Sequence, residues 1–98
     1  MAIIAVFDIP GGTQAQYEQV TNEMTGGKGV VRSRKDWPVP GLISHVTGPS
    51  PTGWFVTDVW ESEEAFQKFG EKLAPLMQAA SMPMGEPTIY QAFNVVTD

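Results

Sequence analysis

One histidine, His45, and no cysteine occur among the 98 residues. Without thiols there can be no disulfide framework, thiol nucleophile, iron–sulfur cluster or thiolate zinc site. A single imidazole also argues against a histidine-built metal centre. What one imidazole can do is take a proton, provided a carboxylate orients it and the surroundings are dry enough. Asp58 is the candidate partner, thirteen residues on in a run that also carries Trp54 and Trp60. If a hairpin closes with Gly48 opposite Gly53, then Ile43, His45 and Thr47 share a face with Trp54, Val56, Asp58 and Trp60. His45 then lies diagonally across from Asp58, with side-chain bases roughly 5–8 Å apart. Two readings stand open. The pair is a general base and its orienting carboxylate, or His45 is a half-exposed strand residue and Asp58 a hydrogen-bonded one.

Other residues could hold a ligand for that base. Trp54 and Trp60 offer flat surfaces for stacking, or equally core for the sheet. Phe66, with Phe69 and Leu73, gives a helix face that closes over the sheet and bounds any ligand held between. Tyr90 can donate a hydrogen bond to a ligand oxygen, although its strand parity leaves open which face it serves. Met77, Met82 and Met84 are soft filler that would give an adaptable wall. Lys28, Arg32, Arg34 and Lys35, four of the six basic residues, fall together in one stretch. They form a cationic patch for an anion, or simply a solvated loop.

The elements that must position these residues are legible in outline. Ile3 to Ile9 is an apolar, β-branched run stopped by Pro10-Gly11-Gly12, a strand and its turn. Thr13 with Gln16 forms a capping box, and Tyr17, Val20 and Met24 recur at helical spacing until Gly26-Gly27. Residues 26–41, with four glycines, two prolines and the basic cluster, read as a long loop or flap. Trp37 is its anchor over a pocket and Pro38-Val39-Pro40-Gly41 its hinge. Leu42 to Gly48 and Trp54 to Glu61 are the hairpin strands. Ser62 caps a second helix with Glu63 and Glu64 in its first turn. Pro75 should kink it or restart it, and Met82-Pro83-Met84-Gly85 should end it. Thr88 to Val96 is the last strand.

This order, β-α-β-β-α-β, is that of a ferredoxin-like α+β fold, an antiparallel sheet with both helices on one face. Residues 1–98 have the length of one domain. Strands one and three are apolar on both parities, and two helices cover only one face. The other face calls for a second copy, so a homodimer is expected. Six basic against eleven acidic residues leave a net charge of −5, which repels a phosphate backbone, so nucleic acid is not expected as a partner. The apolar start is broken by Asp8 and Pro10, far short of the roughly 20 residues that span a bilayer, and it has no basic lead-in. No membrane partner and a cytoplasmic location are expected.

The stretch Trp54-Phe55-Val56-Thr57-Asp58-Val59-Trp60-Glu61-Ser62-Glu63-Glu64-Ala65-Phe66 resembles the junction of third strand and second helix in the dimeric α/β-barrel superfamily. In particular it resembles the antibiotic-biosynthesis-monooxygenase-like group. That group includes oxygenases acting on polycyclic phenols without metal or flavin, haem-degrading enzymes, and small proteins of no assigned function. The resemblance implies a dimeric α/β barrel with a pocket between sheet and helices, where Trp60 corresponds to a pocket-lining residue. It also implies no cofactor and a small aromatic or hydrophobic ligand. The haem-degrading members use a strand-one asparagine and a later haem-ligating histidine, and this chain has neither. Two functions follow. One is a cofactor-independent monooxygenase with His45 and Asp58 as its catalytic pair and Trp60, Trp54, Tyr90 and Phe66 around the ligand. The other is a non-catalytic ligand-binding or partner-interaction protein on the same fold.

Overall fold

A computed structural model describes residues 1–27, 29, 31–82 and 86–97. Strand β1 runs over Ile3–Pro10, helix α1 over Gln14–Met24, strands β2 and β3 over Leu42–Ser50 and Gly53–Trp60, helix α2 over Glu63–Ala79, and strand β4 over Thr88–Gln91. The strands form one antiparallel sheet in the order β2-β3-β1-β4. This is the ferredoxin-like α+β fold that the element order predicts. Among the described residues no helix is long and apolar enough to cross a membrane.

Both helices start where their caps dictate. The Thr13 hydroxyl accepts from the Gln16 backbone N–H while Gln16 Oε1 accepts from the Thr13 N–H, a closed capping box. Ser62 Oγ accepts from the Ala65 N–H, and Glu63 and Glu64 sit in the first turn. Pro75 neither kinks α2 into two segments nor restarts it; the helix is continuous through to Ala79. Pro75 is exposed, so the carbonyl it leaves unbonded can face water. Ser81, at φ 54°, turns the chain off the helix end. Of the expected break at residues 82–85, only Met82 lies within the described residues.

The hairpin is tighter than the expected one. Ser50 pairs with Gly53 across a two-residue turn, Pro51-Thr52, and Gly48 faces Phe55 rather than Gly53. β2 is an edge strand, where Pro49 forfeits no ladder bond, so the strand runs through it instead of stopping at Gly48. The shift is by an even number of residues, so the side chains from Ser44 onward keep their face. A bulge between Leu42 and Ser44 changes the parity at the strand's start and sets Leu42, not Ile43, opposite Trp60. Gly53 must lack a side chain, because a Cβ there would stand 2.4 Å from the Ile9 carbonyl oxygen. Its backbone thereby lies against the end of β1.

β4 is also shorter than the expected Thr88–Val96. β1 offers it partners from Val6 back to Ile3, and one further bond joins the Ala92 N–H to the Ala2 carbonyl. Beyond that point the sheet has no backbone left to pair with. Phe93 and Val96 are accordingly exposed.

The helix-facing side of the sheet packs two buried clusters. Ile9, Tyr17, Val20, Trp54, Met77, Ala80 and Met82 form one. Ile3, Leu42, Trp60 and Phe69 form the other. Met24 and Leu73 touch both. Cross-strand pairing puts Ile4, Val6, Val46, Phe55, Val59 and Tyr90 on the opposite side, where no helix covers them. Val46 is 58% and Tyr90 56% exposed there.

Candidate functional site

Asp58 lies on β3 between the two clusters and is 1% exposed, a carboxylate in a floor otherwise made of apolar residues. On one side the register faces it with Ala5, whose methyl leaves room for it. On the other side it faces His45 directly, not diagonally. His45 Nδ1 lies 2.6 Å from Asp58 Oδ1. His45 Nε2 lies 2.6 Å from the Tyr17 hydroxyl, which reaches down from the first turn of α1.

The three groups form one chain. Burial first, and the negative charge of Asp58 second, push the Tyr17 phenol up to about 12. It therefore keeps its proton at neutral pH and donates it to Nε2. That leaves Nε2 as the acceptor and Nδ1–H as the donor to Asp58 Oδ1, the ordering that gives each of the three groups a partner. The aromatic frame is close. Trp37 sits 4.6 Å from the His45 ring between centroids, Tyr17 stacks on it at 6.0 Å, and Trp54 backs Tyr17 at 5.5 Å. Asp58 Oδ2 is buried with no partner among the described residues.

The raised tyrosine has a consequence for stability. Between about pH 10 and 12 the unfolded chain releases this proton while the folded one holds it. Stability contributed by Tyr17 is thus complete below pH 10 and falls as pH rises towards 12, by about 2–3 kcal/mol in all. Tyr17→Phe should lack this alkaline limb in denaturant titrations taken at successive pH values. An unchanged limb in that variant would assign it to other groups.

Beside this chain lies a cavity of about 40 Å³, walled by apolar residues that include Phe7, Val56, Phe69, Leu73, Met77 and Met82, with Tyr17, His45, Asp58 and Trp37 at its polar end. It holds two or three waters at most, roughly 15 Å³ each by the same measure. An aromatic ring enters only if a wall gives. Methionine and a loop-borne tryptophan are walls that can.

The other sequence candidates sit elsewhere. Trp60 is fully buried against Phe69 and Phe66, and Trp54 against Tyr17, so both are core behind the cavity and not part of its lining. Phe66 packs on Phe7 and Trp60, one layer away. Tyr90 stands on the uncovered face, opposite Ile4. Tyr17 was not among the candidates, because its spacing reads as part of an apolar helix stripe. Its signal is the hydroxyl itself, which a buried tyrosine must satisfy. In the 26–41 segment, Ser33 and Asp36 cap a single 3-10 turn at Arg34–Asp36, and Trp37 follows it onto His45 and Phe69. Lys28 of the basic cluster and Met84 lie outside the described residues. Among the described residues no three His, Cys, Asp or Glu side chains gather as a metal site.

A four-stranded antiparallel sheet with two helices over one face is a ferredoxin-like α+β architecture, and solved structures share it. The crystal structure of SnoaB, a cofactor-independent oxygenase from Streptomyces nogalater, is similar over 99% of this chain and 96% of that one, with a TM-score of 0.56 and 17% identity. An asparagine-to-alanine variant of SnoaB gives 0.57 at 17% identity over the same shares. A monooxygenase from the gene ActVA-Orf6 of Streptomyces coelicolor, solved with the ligand Nanaomycin D, has a TM-score of 0.48 and 24% identity over 99% of this chain and 91% of that one. The SnoaB likeness establishes the fold. No family model and no curated protein matches the sequence.

Proposed function

We propose that this chain is a homodimeric α/β-barrel protein, one domain over 1–98, that binds a phenolic, polyketide-like aromatic and oxidises it with O₂ without metal or flavin. The observation that carries this reading is the Tyr17–His45–Asp58 chain at the polar end of an apolar cavity. His45 Nε2 takes the phenolic proton, and Asp58 fixes the ring tautomer and stabilises the imidazolium that forms. Tyr17, displaced from Nε2 by the substrate hydroxyl, then donates to the substrate oxygen. The phenolate is electron-rich enough to react with O₂. For a naphthol the sum is C₁₀H₈O + O₂ → C₁₀H₆O₂ + H₂O, one oxygen entering the ring and the other leaving as water. The fold shared with SnoaB supports the reading. Oxygen uptake and quinone absorbance with a panel of naphthols, hydroxyanthracenes and anthrones test it. Turnover abolished by His45→Gln is the expected result; equal rates with and without His45 would refute it, and a panel that binds unchanged would favour the non-catalytic binding protein.

The uncovered sheet face supports the dimer. Ile4, Val6, Val46, Phe55 and Val59 make a largely apolar face, with Thr57 among them, of the kind that a second identical face covers. Sedimentation at micromolar concentration should give twice the 10.7 kDa of one chain. Val6→Lys, at the centre of that face, should shift it to the monomer. A monomeric parent protein would sink the assembly.

A further inference from the structure

His45 and Trp37 belong to two hollows at once. Besides the apolar cavity, they border an outer one of about 200 Å³ whose remaining wall is Val31, Arg32, Ser33, Arg34 and Leu42. Arg32 and Arg34 form no ion pair or hydrogen bond through their side chains with any described residue. The acidic residue nearest in sequence, Asp36, spends Oδ2 on the backbone N–H groups of Arg32 and Ser33. Two arginines without a side-chain partner among the described residues thus line the outer hollow in a chain of net charge −5. Trp37 stands between the hollows, and its Nε1, like those of Trp54 and Trp60, is buried without an acceptor among the described residues; being on a loop, Trp37 is the one of the three that can turn outward to water.

We infer that the two hollows form one binding site in two compartments. The inner cavity takes the phenolic ring, and the outer one takes a carboxylate of the same molecule on Arg32 and Arg34, with Trp37 as the movable wall between. The substrate class is therefore a hydroxyarene acid rather than a neutral phenol. Planar guanidinium donors match a carboxylate in pairs, which a solvated lysine would not do. The inference rests on the reading of His45 as the base only for where the phenol sits.

The experiment compares 2-naphthol with 6-hydroxy-2-naphthoate, titrated into the full chain and followed by tryptophan fluorescence. The acid should bind about tenfold more tightly or better. In Arg32→Gln/Arg34→Gln that advantage should vanish while 2-naphthol binds as before, and added salt should narrow it in the parent. No preference for the acid, or a preference that survives the double substitution, overturns the anion compartment. The base reading is scored separately by the absorbance of bound 2-naphthol, which should show naphtholate with the parent and not with His45→Gln. A failure there leaves the carboxylate preference intact. If neither probe binds, the cavity is not a ligand site and both readings fall.

Discussion

His45→Gln is expected to lower kcat/KM for a phenolic substrate by a hundredfold or more, within the roughly 10²–10⁴ that a positioned general base contributes. Glutamine suits the test because its flexible side chain carries an amide N–H that can turn to Asp58 Oδ1, the oxygen that His45 Nδ1 meets at 2.6 Å. The buried carboxylate then keeps a partner, and the chain should fold with nearly its parent stability. An amide cannot take up a proton at neutral pH, so the chemistry is removed while the hydrogen bond stays. Asp58→Asn attacks the same step differently. Its amide can donate to Nδ1, which moves the imidazole proton to Nε2 and turns the base towards the substrate as a donor. Both variants should therefore lose turnover while keeping ligand affinity within a few fold. Oxygen uptake against fluorescence binding separates the two quantities, and a His45→Gln protein with parent turnover would remove His45 from the mechanism.

What the sequence carried about this site was the parity of its strands. The apolar runs and the two caps place the four strands and two helices in order, while the hairpin ends, the course of α2 through Pro75 and the length of β4 differ; an assumed hairpin register puts His45 and Asp58 on one face. Contact between them needed the register, which hung on whether Gly48-Pro49-Ser50 ends a strand or continues one. Proline and glycine usually punctuate, but on an edge strand they cost little, and that is a fact of sheet order rather than of local sequence. The two-residue slip that follows brings the pair directly opposite.

Tyr17 was harder to see for a related reason. A tyrosine on a helix stripe declares only that its ring is buried; that its hydroxyl meets His45, 28 residues away, is set by how α1 packs on the sheet. Trp54 and Trp60 lie outside the cavity lining for the opposite reason. Their strand parity is right, yet the helices pack so closely on them that Trp60 has no exposed surface left. The cavity opens over Asp58 instead, between the two indoles, where the small side chain of Ala5 and the flexible Met24 and Leu73 leave the clusters imperfectly joined.

Whether the pair is there for stability or for chemistry can be decided by removing it. His45→Leu should cost about 3–5 kcal/mol, because it strands at 1% exposure a carboxylate whose Oδ2 already has no partner among the described residues. That is a large share of the 5–15 kcal/mol that holds a typical domain together. Replacing all three polar groups in His45→Leu/Asp58→Val/Tyr17→Phe should recover most of the loss, since the desolvation of the carboxylate goes with it and the walls around it are already apolar. The single and multiple variants then show strong non-additivity in urea unfolding, of several kcal/mol, as expected for groups acting as one network. A triple variant as stable as the parent would mean that the Tyr17–His45–Asp58 chain contributes nothing net to the fold, and a buried charge kept at no gain in stability points to chemistry. The reverse outcome, a triple variant that unfolds as readily as His45→Leu, would make the network structural and take the principal support from the catalytic reading.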